Sequence, residues 1–475
     1  MRKLTEILLL VAWLSILAGC GSSPDPGPAG RDEFLARTWP CNVVVVLLDA
    51  ARADRFGFQG YERPTTPNID ALAARSVVFE RAYAQASGTA NSVYSFFTSR
   101  YPVFESVPRL VGQNAIFLGE EAHTLIEAMA ERHPHRLVLS TNPFVREYLG
   151  YTQGATEVIE DWMPEPGHEQ GVPPRYAERV TGPGLEWIGR HAEDGFFAYL
   201  HYIEPHEPYQ PPDPFVDRLS SGRPQPHLGR QKVLRQLGQR TPPQRVIRTV
   251  SDLYDANLAY VDSHVGALVD SLEANQLLEK TIIVLISDHG EAFWEHGGRG
   301  HGHAPYQELI QVPFFIYLPT VPDLAGTRIE EPVELVDLMP TLLDMMGLPV
   351  ESMDLVGRSL VDVMLTGAGD PDRVIHARTN RTSNPVYSMQ RGRWKWFIRP
   401  NTGVQELYDL TSDPGEKIDL VSRNEADEQI LAMFRERFRI WIAGGESEQA
   451  QASPVDNQMM DEAMIESLRS LGYID

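Results

Sequence analysis

The chain contains very little cysteine and no excess of positive charge. Cys20 and Cys41 are the only cysteines among 475 residues, which excludes a small scaffold held together by several disulfides. Lys and Arg number 42 against 65 Asp and Glu, giving a net charge of −23. We therefore expect no nucleic acid partner, because binding to its phosphates requires basic side chains. The hydrophobic content of 42% is typical of an ordinary globular protein.

The N-terminus lacks an apolar run long enough to cross a bilayer, which takes about 20 residues in a helix. The run from Ile7 to Leu17 is shorter, follows Arg2 and Lys3, and ends in Leu-Ala-Gly-Cys20. This arrangement resembles the lipobox of bacterial lipoproteins, in which the cysteine is lipidated. An ordinary secretory signal or a retained membrane anchor is the alternative.

The lipoprotein interpretation predicts a location for the whole chain. Residues 1–19 would be a lipoprotein-type signal peptide, and Cys20 would carry the lipid. Residues 20–38, in which Gly, Ser and Pro follow Cys20, would form a tether. We expect an exported protein of the bacterial cell envelope, anchored to a membrane through its N-terminal lipid and facing the periplasm.

Two apolar runs rich in β-branched residues end in polar side chains. Asn42 to Asp49 reads NVVVVLLD, and Ile282 to Ile286 is followed by Ser-Asp288-His289-Gly. Both runs are typical of strands buried in a parallel sheet. Ligands bind at the carboxyl ends of such strands, which makes Asp49, Asp288 and His289 candidates for a site. The alternative is that Asp288 and His289 form only a polar turn.

The segment from Thr89 to Ser99 predicts a helix, with Val93, Phe96 and Phe97 on one face. Thr89 would lie at the N-terminus of this helix. Free backbone N–H groups and the helix dipole favour an anion at that position.

Apolar strands alternate with helical patterns up to about residue 350, which predicts an α/β fold. The expected architecture is a three-layer α/β/α sandwich with a mostly parallel central sheet. From Arg373 onward the pattern changes to short alternating segments, which indicate a small C-terminal antiparallel β subdomain. We place the main α/β domain at residues 39–370 and the subdomain at 371–475, with an amphipathic helix from Asp427 to Ala443.

An ordered set of motifs over roughly residues 40–475 resembles the sulfatase family, part of the alkaline-phosphatase-like superfamily of metal-dependent ester hydrolases. The motifs are NVVVVLLDA from residue 42, TPNIDALA from 66, PHEPY from 205, SDHGE from 287, HGHAPYQE from 301, VDLMPTLL from 336, ELYDL from 406 and LGY from 471. Each motif is weak alone, but their order is specific. The resemblance implies a hydrolase of sulfate or phosphate esters with the expected α/β/α fold.

The resemblance also implies roles for particular residues. A divalent metal ion, Ca²⁺, Mg²⁺, Mn²⁺ or Zn²⁺, would be held by Asp49, Thr89, Asp288 and His289. Thr89 would be the nucleophile, and His206 and His303 would protonate the leaving group or hold the transferred group. Asn91 and His301 are candidates for substrate binding. For His301, a place in a second metal site stays open as an alternative.

The nucleophile position departs from the family pattern. Sulfatases carry a C/S-x-P-x-R motif whose first residue becomes formylglycine, whereas the aligned residues here are Thr89-Ala-Asn-Ser-Val93. No formylglycine is expected, because Thr does not follow that route. The pattern is more similar to phosphodiesterases and to phosphoglycerol or phosphoethanolamine transferases with an unmodified Thr. Ser87 and Ser92 flank Thr89, so an alignment shifted by one turn stays open.

Three functions therefore remain open at this stage. The first is a hydrolase of sulfate, phosphate or phosphonate esters acting through an activated Thr. The second is a phosphoglycerol- or phosphoethanolamine-type transferase acting on envelope lipids or glycans, and the third is a non-catalytic binding protein. The partner would be a small anionic ester, with glycans and lipid head groups among the candidates. The Arg-rich stretch from Asp213 to Arg248 would be a solvated helical lid or a basic wall near the cleft.

Overall fold

A computed structural model describes residues 28–102, 109–110, 113–114, 118–161, 176–238, 240–350, 353–379 and 384–449. The predicted signal peptide (residues 1–19), Cys20 and the Leu471-Gly-Tyr473 motif lie outside these ranges. In the part of the chain that the structure describes, no helix has both the length and the apolar character needed to cross a membrane.

The fold is built around an eight-stranded sheet. Its strands in chain order are β1 (Asn42–Asp49), β2 (Val77–Phe79), β3 (His135–Ser140), β4 (Glu157–Glu160), β5 (Phe196–Pro205), β6 (Thr281–Ile286), β7 (Phe314–Tyr317) and β8 (Arg328–Ile329). The spatial order is β8-β2-β7-β6-β1-β5-β3-β4. Only β7 runs antiparallel to its neighbours β2 and β6. The central strand β1 is parallel to both β5 and β6, so the carboxyl ends of these three strands share one edge.

Alternate residues of β1 point to opposite faces of the sheet, and they are buried on both faces because helices cover both. The helices are α1 (Pro28–Thr38), α2 (Pro67–Ala73), α3 (Thr89–Thr98), α4 (Leu125–Ala128), α5 (Tyr176–Arg190), α6 (Asp213–Leu219), α7 (Gln231–Leu237), α8 (Gln244–Ala274), α9 (Gln307–Ile310), α10 (Leu338–Met345), α11 (Val361–Thr366) and α12 (Glu428–Gln449). Val45 shares one apolar cluster with α1, α3 and α10. Val46 shares the other with α2, α5 and α8. The predicted three-layer α/β/α sandwich is confirmed.

The predicted small antiparallel sheet is also present. Its strands are β9 (Ile375–Arg378), β10 (Tyr387–Arg391), β11 (Trp394–Arg399) and β12 (Val404–Asp409), and each is antiparallel to the next. Helix α12 packs on this sheet through Phe434, whose ring stacks on Trp396 at 5.9 Å between centroids. Shorter paired strands occur at Ala82–Tyr83, Gln311–Val312 and Val333–Glu334, at Ala292–Phe293 and Arg299–Gly300, and at Arg109–Leu110 and Gln113–Asn114.

The predicted tether over residues 20–38 needs correction in its second half. Residues Pro28–Thr38 form the helix α1, and Phe34 is buried in the core on the α3 side of the sheet. Arg31 pairs with Asp344 of α10 at 2.5 Å. The Gly- and Pro-rich composition suggested a flexible segment, but burial of Phe34 is a tertiary contact that such composition does not reveal.

Candidate active site

Asp49 lies at the carboxyl end of β1, in a backbone arrangement that fixes its position. The register between β1 and β5 shifts between Leu48 and Asp49, so that Asp49 pairs with Pro205. Ala50 then has φ of 58°, a left-handed conformation that costs free energy in a non-glycine residue. The surroundings hold it there: the Ala50 carbonyl accepts a 2.8 Å hydrogen bond from the Tyr254 hydroxyl. The Ala50 N–H donates to Asp288 Oδ1 at 3.1 Å.

Asp288 and His289 follow the end of β6, the strand beside β1. Asp288 Oδ1 accepts from the N–H of Ala50 and also from the N–H of His289 at 3.0 Å. The His289 Nδ1 lies 2.8 Å from the Gly290 carbonyl. Since a carbonyl only accepts, Nδ1 must carry a proton. The Nε2 atom of a neutral His289 therefore has its lone pair free for a ligand.

Thr89 is the first residue of α3 and points into the same pocket. Its Oγ1 is 3.2 Å from His289 Nε2, and the residue is buried with 2% exposure. Gly88, the residue before the helix, has extended backbone geometry, so Thr89 begins the first turn, whose N–H groups have no partner within the helix. The predicted position of Thr89 at a helix start, close to the ends of β1 and β6, matches the structure. Ser92 lies one turn deeper and is buried.

Three ligand atoms converge at the ends of β1 and β6. His289 Nε2 is 3.7 Å from Asp49 Oδ1 and 3.5 Å from Asp288 Oδ2. Both oxygens are buried and have no hydrogen-bond partner among the residues that the structure describes. Buried polar atoms are almost always paired, so two unpaired carboxylate oxygens beside an imidazole lone pair fit a metal ion. The ligand atoms of this trio lie within 4.8 Å of one another.

The electrostatics of the pocket also favour a cation. The pKa of Asp49 is raised to about 7, first by burial and second by the neighbouring Asp288 carboxylate. Two carboxylates held this close in a dry pocket repel each other. A divalent cation between them would remove that repulsion, and its oxygen and imidazole ligands would suit several metals.

Two residues that support Asp49 escaped the sequence analysis. His201 of β5 places Nε2 3.1 Å from Asp49 Oδ2, and the Tyr199 hydroxyl lies 2.9 Å from its Nδ1. Burial lowers the pKa of His201 to about 4, so the ring is neutral and Nε2–H donates to the carboxylate. Asn142 donates to the same Asp49 oxygen. The sequence offered one signal for His201, namely its position five residues before the selected His206.

The predicted histidines lie beside this pocket. His301 packs between His289 and His206, with ring centroids 4.5 and 4.7 Å away. Its Nδ1 is 3.1 Å from Glu291 Oε1, and Glu291 is a buried residue that the sequence analysis did not select. The His206 Nδ1 donates to the Glu207 carbonyl at 2.6 Å, which leaves Nε2 as the atom with the lone pair.

The remaining predicted residues, His303 and Asn91, are linked to Thr89 through a backbone contact and through their position in the chain. His303 follows Gly302, whose N–H donates to the Ser87 carbonyl, so its loop contacts the chain just before Thr89. Asn91 is buried in the first turn of α3, and its carbonyl accepts from the Ser95 hydroxyl.

Comparison with known proteins assigns this arrangement to a family. The sulfatase family model matches residues 41–348, which is well over half of the chain. The chain belongs to the sulfatase family. The predicted family is confirmed, and with it the assignment as a sulfuric or phosphoric ester hydrolase.

Individual relatives extend the similarity over most of this sulfatase-family chain. An arylsulfatase of Clostridium perfringens is 24% identical over 447 residues, covering 82% of this chain and 92% of that protein. The phosphonate monoester hydrolase structure from Agrobacterium radiobacter has a TM-score of 0.65 at 19% identity, covering 86% of this chain and 96% of the other. A structure in complex with its substrate D-glucosamine-2-N,6-O-disulfate has a TM-score of 0.67 at 16% identity, covering 88% and 100%. These structural similarities establish the shared fold.

Proposed function

We propose that this sulfatase-family protein is a divalent-metal-dependent hydrolase of sulfate, phosphate or phosphonate esters with Thr89 as its nucleophile. The observation that carries the proposal is the position of Thr89 Oγ1, 3.2 Å from His289 Nε2. It stands in a pocket that also contains the unpaired oxygens of Asp49 and Asp288. A hydroxyl at a helix N-terminus, next to a trio that fits a cation, is suited to attack an anionic ester.

The residues that would hold the metal are Asp49, Asp288 and His289, with the Thr89 oxygen as a further ligand. A bound divalent ion would lower the pKa of the Thr89 hydroxyl and offset negative charge on the transferred group. The protein's own contribution is the geometry. His201 and Asn142 orient Asp49, and the Gly290 carbonyl fixes the proton of His289 on Nδ1.

The reaction proceeds in two displacements. The Thr89 oxygen forms a bond to the sulfur or phosphorus of the ester, and the bond from that atom to the ester oxygen breaks. The proton of the Thr89 hydroxyl passes to the leaving oxygen by way of an imidazole, for which His206 and His303 are the candidates, so that this oxygen departs as an alcohol. Thr has a single hydroxyl, so water must then attack sulfur or phosphorus to release the inorganic anion and restore Thr89.

An anionic substrate also fits the basic segment formed by residues 213–248. The segment includes α6, α7 and the start of α8, and its basic residues are exposed: Arg218, Arg223, Arg230, Lys232, Arg235, Arg240, Arg245 and Arg248. Its acidic residues are Asp213 and Asp217. Gln231 of α7 contacts Glu207, next to His206, at 3.4 Å. Arg299 donates to the Leu234 carbonyl at 3.0 Å and pairs with Glu207. We propose that this segment is a basic wall of the cleft.

The lipid anchor at Cys20 is part of the same proposal. It would hold the enzyme at a membrane of the bacterial cell envelope, where it meets its ester on the periplasmic side. The support is the sequence pattern from Arg2 to Cys20. Metabolic labelling with a radioactive fatty acid tests it, with Cys20→Ser as the unlabelled control.

The experiment is a substrate panel of aryl sulfate, phosphate monoester, phosphodiester and phosphonate monoester, measured with and without added divalent metal. Thr89→Ala and Thr89→Val should lose at least about 10³-fold in kcat on the best substrate. Thr89→Ser, which keeps a hydroxyl, should retain measurable activity. Full activity in Thr89→Val, or in the parent after complete removal of metal, would overturn the proposal.

The same assay separates hydrolysis from transfer. Product analysis in the presence of glycerol or ethanolamine shows whether an acceptor alcohol competes with water for the group on Thr89. A dominant alcohol product would favour the transferase, because an unmodified Thr nucleophile is compatible with both outcomes. No turnover of any ester, together with no bound metal, would favour a binding protein.

A further inference from the structure

A second cluster of metal-ligating side chains lies far from the active site. It consists of His135, His191 and Asp194, whose ligand atoms lie within 4.8 Å of one another. His135 is the first residue of β3, and His191 follows the last residue of α5. Asp194 lies in the turn that leads to β5, and its N–H donates to the His191 carbonyl at 3.2 Å.

This cluster is at the opposite end of the sheet from Thr89. His135 pairs with Phe196, the first residue of β5, whereas Asp49 pairs with Pro205, the last one. β5 contains 10 residues, and a strand rises about 3.3 Å per residue. The two sites are therefore separated by roughly 30 Å along the strand direction.

The distances within the cluster suit ligands of one ion better than a hydrogen bond. His135 Nε2 is 3.6 Å from Asp194 Oδ2, which is long for a hydrogen bond. With metal–ligand distances of about 2.0–2.1 Å, two ligands of a tetrahedral ion lie roughly 3.3 Å apart. The rings of His135 and His191 lie 4.0 Å apart with a tilt of 27°, and one nitrogen of each ring lies within 4.8 Å of the other and of a carboxylate oxygen of Asp194.

The surroundings of His191 favour a bound cation. The ring of His191 rests on the buried Trp187 at 4.7 Å, which limits its mobility. His191 also follows the C-terminus of the 15-residue helix α5, where the helix dipole attracts positive charge.

We propose that His135, His191 and Asp194 form a peripheral site for a transition-metal ion of the Zn²⁺ class. Two imidazoles and one carboxylate are the ligand set that Zn²⁺ prefers, with water as the fourth ligand because the site is partly exposed. Mg²⁺ and Ca²⁺ prefer oxygen ligands and bind such a site weakly. The ion fastens the turn between α5 and β5 to the start of β3, and it takes no part in catalysis.

The test is zinc binding by the full chain after removal of all metals. The protein is dialysed against buffered Zn²⁺, and its metal content is measured by mass spectrometry. His191→Ala and Asp194→Asn should each hold one zinc ion fewer than the parent at low free Zn²⁺. His123→Ala, which removes an exposed histidine elsewhere, should match the parent. Zn²⁺, but not Mg²⁺, should raise the melting temperature of the parent more than that of His191→Ala.

The two metal sites are distinguished by activity. His191→Ala should keep the kcat of the parent, so its loss of zinc cannot be attributed to the pocket around Thr89. Equal zinc content in the parent, His191→Ala and Asp194→Asn would overturn the peripheral site, whatever the active site binds. A difference reproduced by His123→Ala would overturn it as well, since binding would then be non-specific.

Discussion

Asp49 receives support from β5 and from the loop that follows β3, and this support is the most specific feature of the site at the scale of single residues. Its Oδ2 accepts hydrogen bonds from His201 and Asn142, whereas its Oδ1 accepts none from the described part of the chain. One oxygen is thus fixed by hydrogen bonds and the other is left for a cation. Groups that orient a ligand in this way tune metal affinity strongly.

Replacing His201 therefore tests the metal site through the residue that orients Asp49. His201→Leu should weaken binding of the divalent ion about 10- to 100-fold, because Asp49 loses its oriented donor while the pocket keeps its volume. His201→Gln retains an N–H donor and should lose less. Isothermal titration of the metal-free variants measures both. Equal affinity in His201→Leu and the parent would show that His201 is only a packing residue.

The sequence predicted four of the residues that meet at this pocket, namely Asp49, Thr89, Asp288 and His289. Three of them end or follow apolar runs and the fourth begins a helix, so local patterns were sufficient to select them. His201 and Asn142 were missed because their role depends on the order of the strands. β5 pairs with β1, and β3 pairs with β5. When a histidine is buried within an apolar strand, the local sequence pattern does not show which carboxylate it faces.

At the scale of elements, the C-terminal sheet connects to the active-site loop through a buried ion pair. Lys395 of β11 contacts Glu416 at 2.6 Å, and both are fully buried. The other Glu416 oxygen accepts from the Gln307 N–H at 2.7 Å. Its backbone carbonyl lies 2.9 Å from His296 Nε2. The chain from His296 to Gln307 includes His301 and His303, so this pair helps to place them.

Breaking that pair should destabilise the protein. Lys395→Met leaves the Glu416 carboxylate buried without its cation, and such a change costs about 3–5 kcal/mol in the free energy of unfolding. The double variant Lys395→Met/Glu416→Leu should recover most of this loss, since it removes both charges. Chemical denaturation measures the three proteins. A Lys395→Met variant as stable as the parent would contradict the role assigned to the pair.

The basic segment makes a separate prediction about substrate capture. Arg230→Glu/Lys232→Glu should lower kcat/KM for an anionic ester by about tenfold or more at low salt, because positive potential near a cleft speeds association. The difference should shrink at high ionic strength, and kcat should stay unchanged. Lys280→Glu/Arg423→Glu changes the net charge equally at exposed positions outside the segment and is the control. An equal effect in both variants would contradict a basic wall.

Elements were predicted more reliably than their connections. β1, β6 and α3 were found from apolar runs and helical spacing, and the change of pattern after Arg373 indicated the second sheet. The antiparallel direction of β7 and the helix α1 were not predicted. Both depend on long-range packing, against β2 and β6 in one case and α10 in the other, and periodicity reports only local structure.

At the scale of the whole molecule, the pocket should impose a pH-dependent cost on the stability of the metal-free protein. The pKa of Asp49 is raised to about 7, above the ordinary carboxyl value. Between the ordinary carboxyl pKa and about 7, the folded chain therefore keeps a proton that the unfolded chain has lost, so stability falls as the pH rises towards about 7 and then levels off. Asp49→Asn removes this group, so its stability relative to the parent should rise between pH 6 and pH 8, by about 1 kcal/mol.

Urea denaturation of both metal-free proteins at the two pH values measures this difference. Asp213→Asn, which changes an exposed carboxylate outside the pocket, should show no such rise and is the control. At saturating divalent metal the parent should be more stable than Asp49→Asn, because metal binding stabilises the parent. Asp49→Asn lacks one of the metal ligands and should gain less. A relative stability of Asp49→Asn that falls from pH 6 to pH 8 would contradict the electrostatic account.

The most direct test of the central claim is to find the transferred group on Thr89. The metal-loaded parent is mixed with its best substrate, quenched rapidly in acid, digested and examined by peptide mass spectrometry. We predict a sulfo or phospho group on Thr89 that appears before the product accumulates and disappears as the substrate is exhausted. Rapid turnover with Thr89 unmodified at every time, together with undiminished turnover in Thr89→Ala, would contradict Thr89 as the nucleophile.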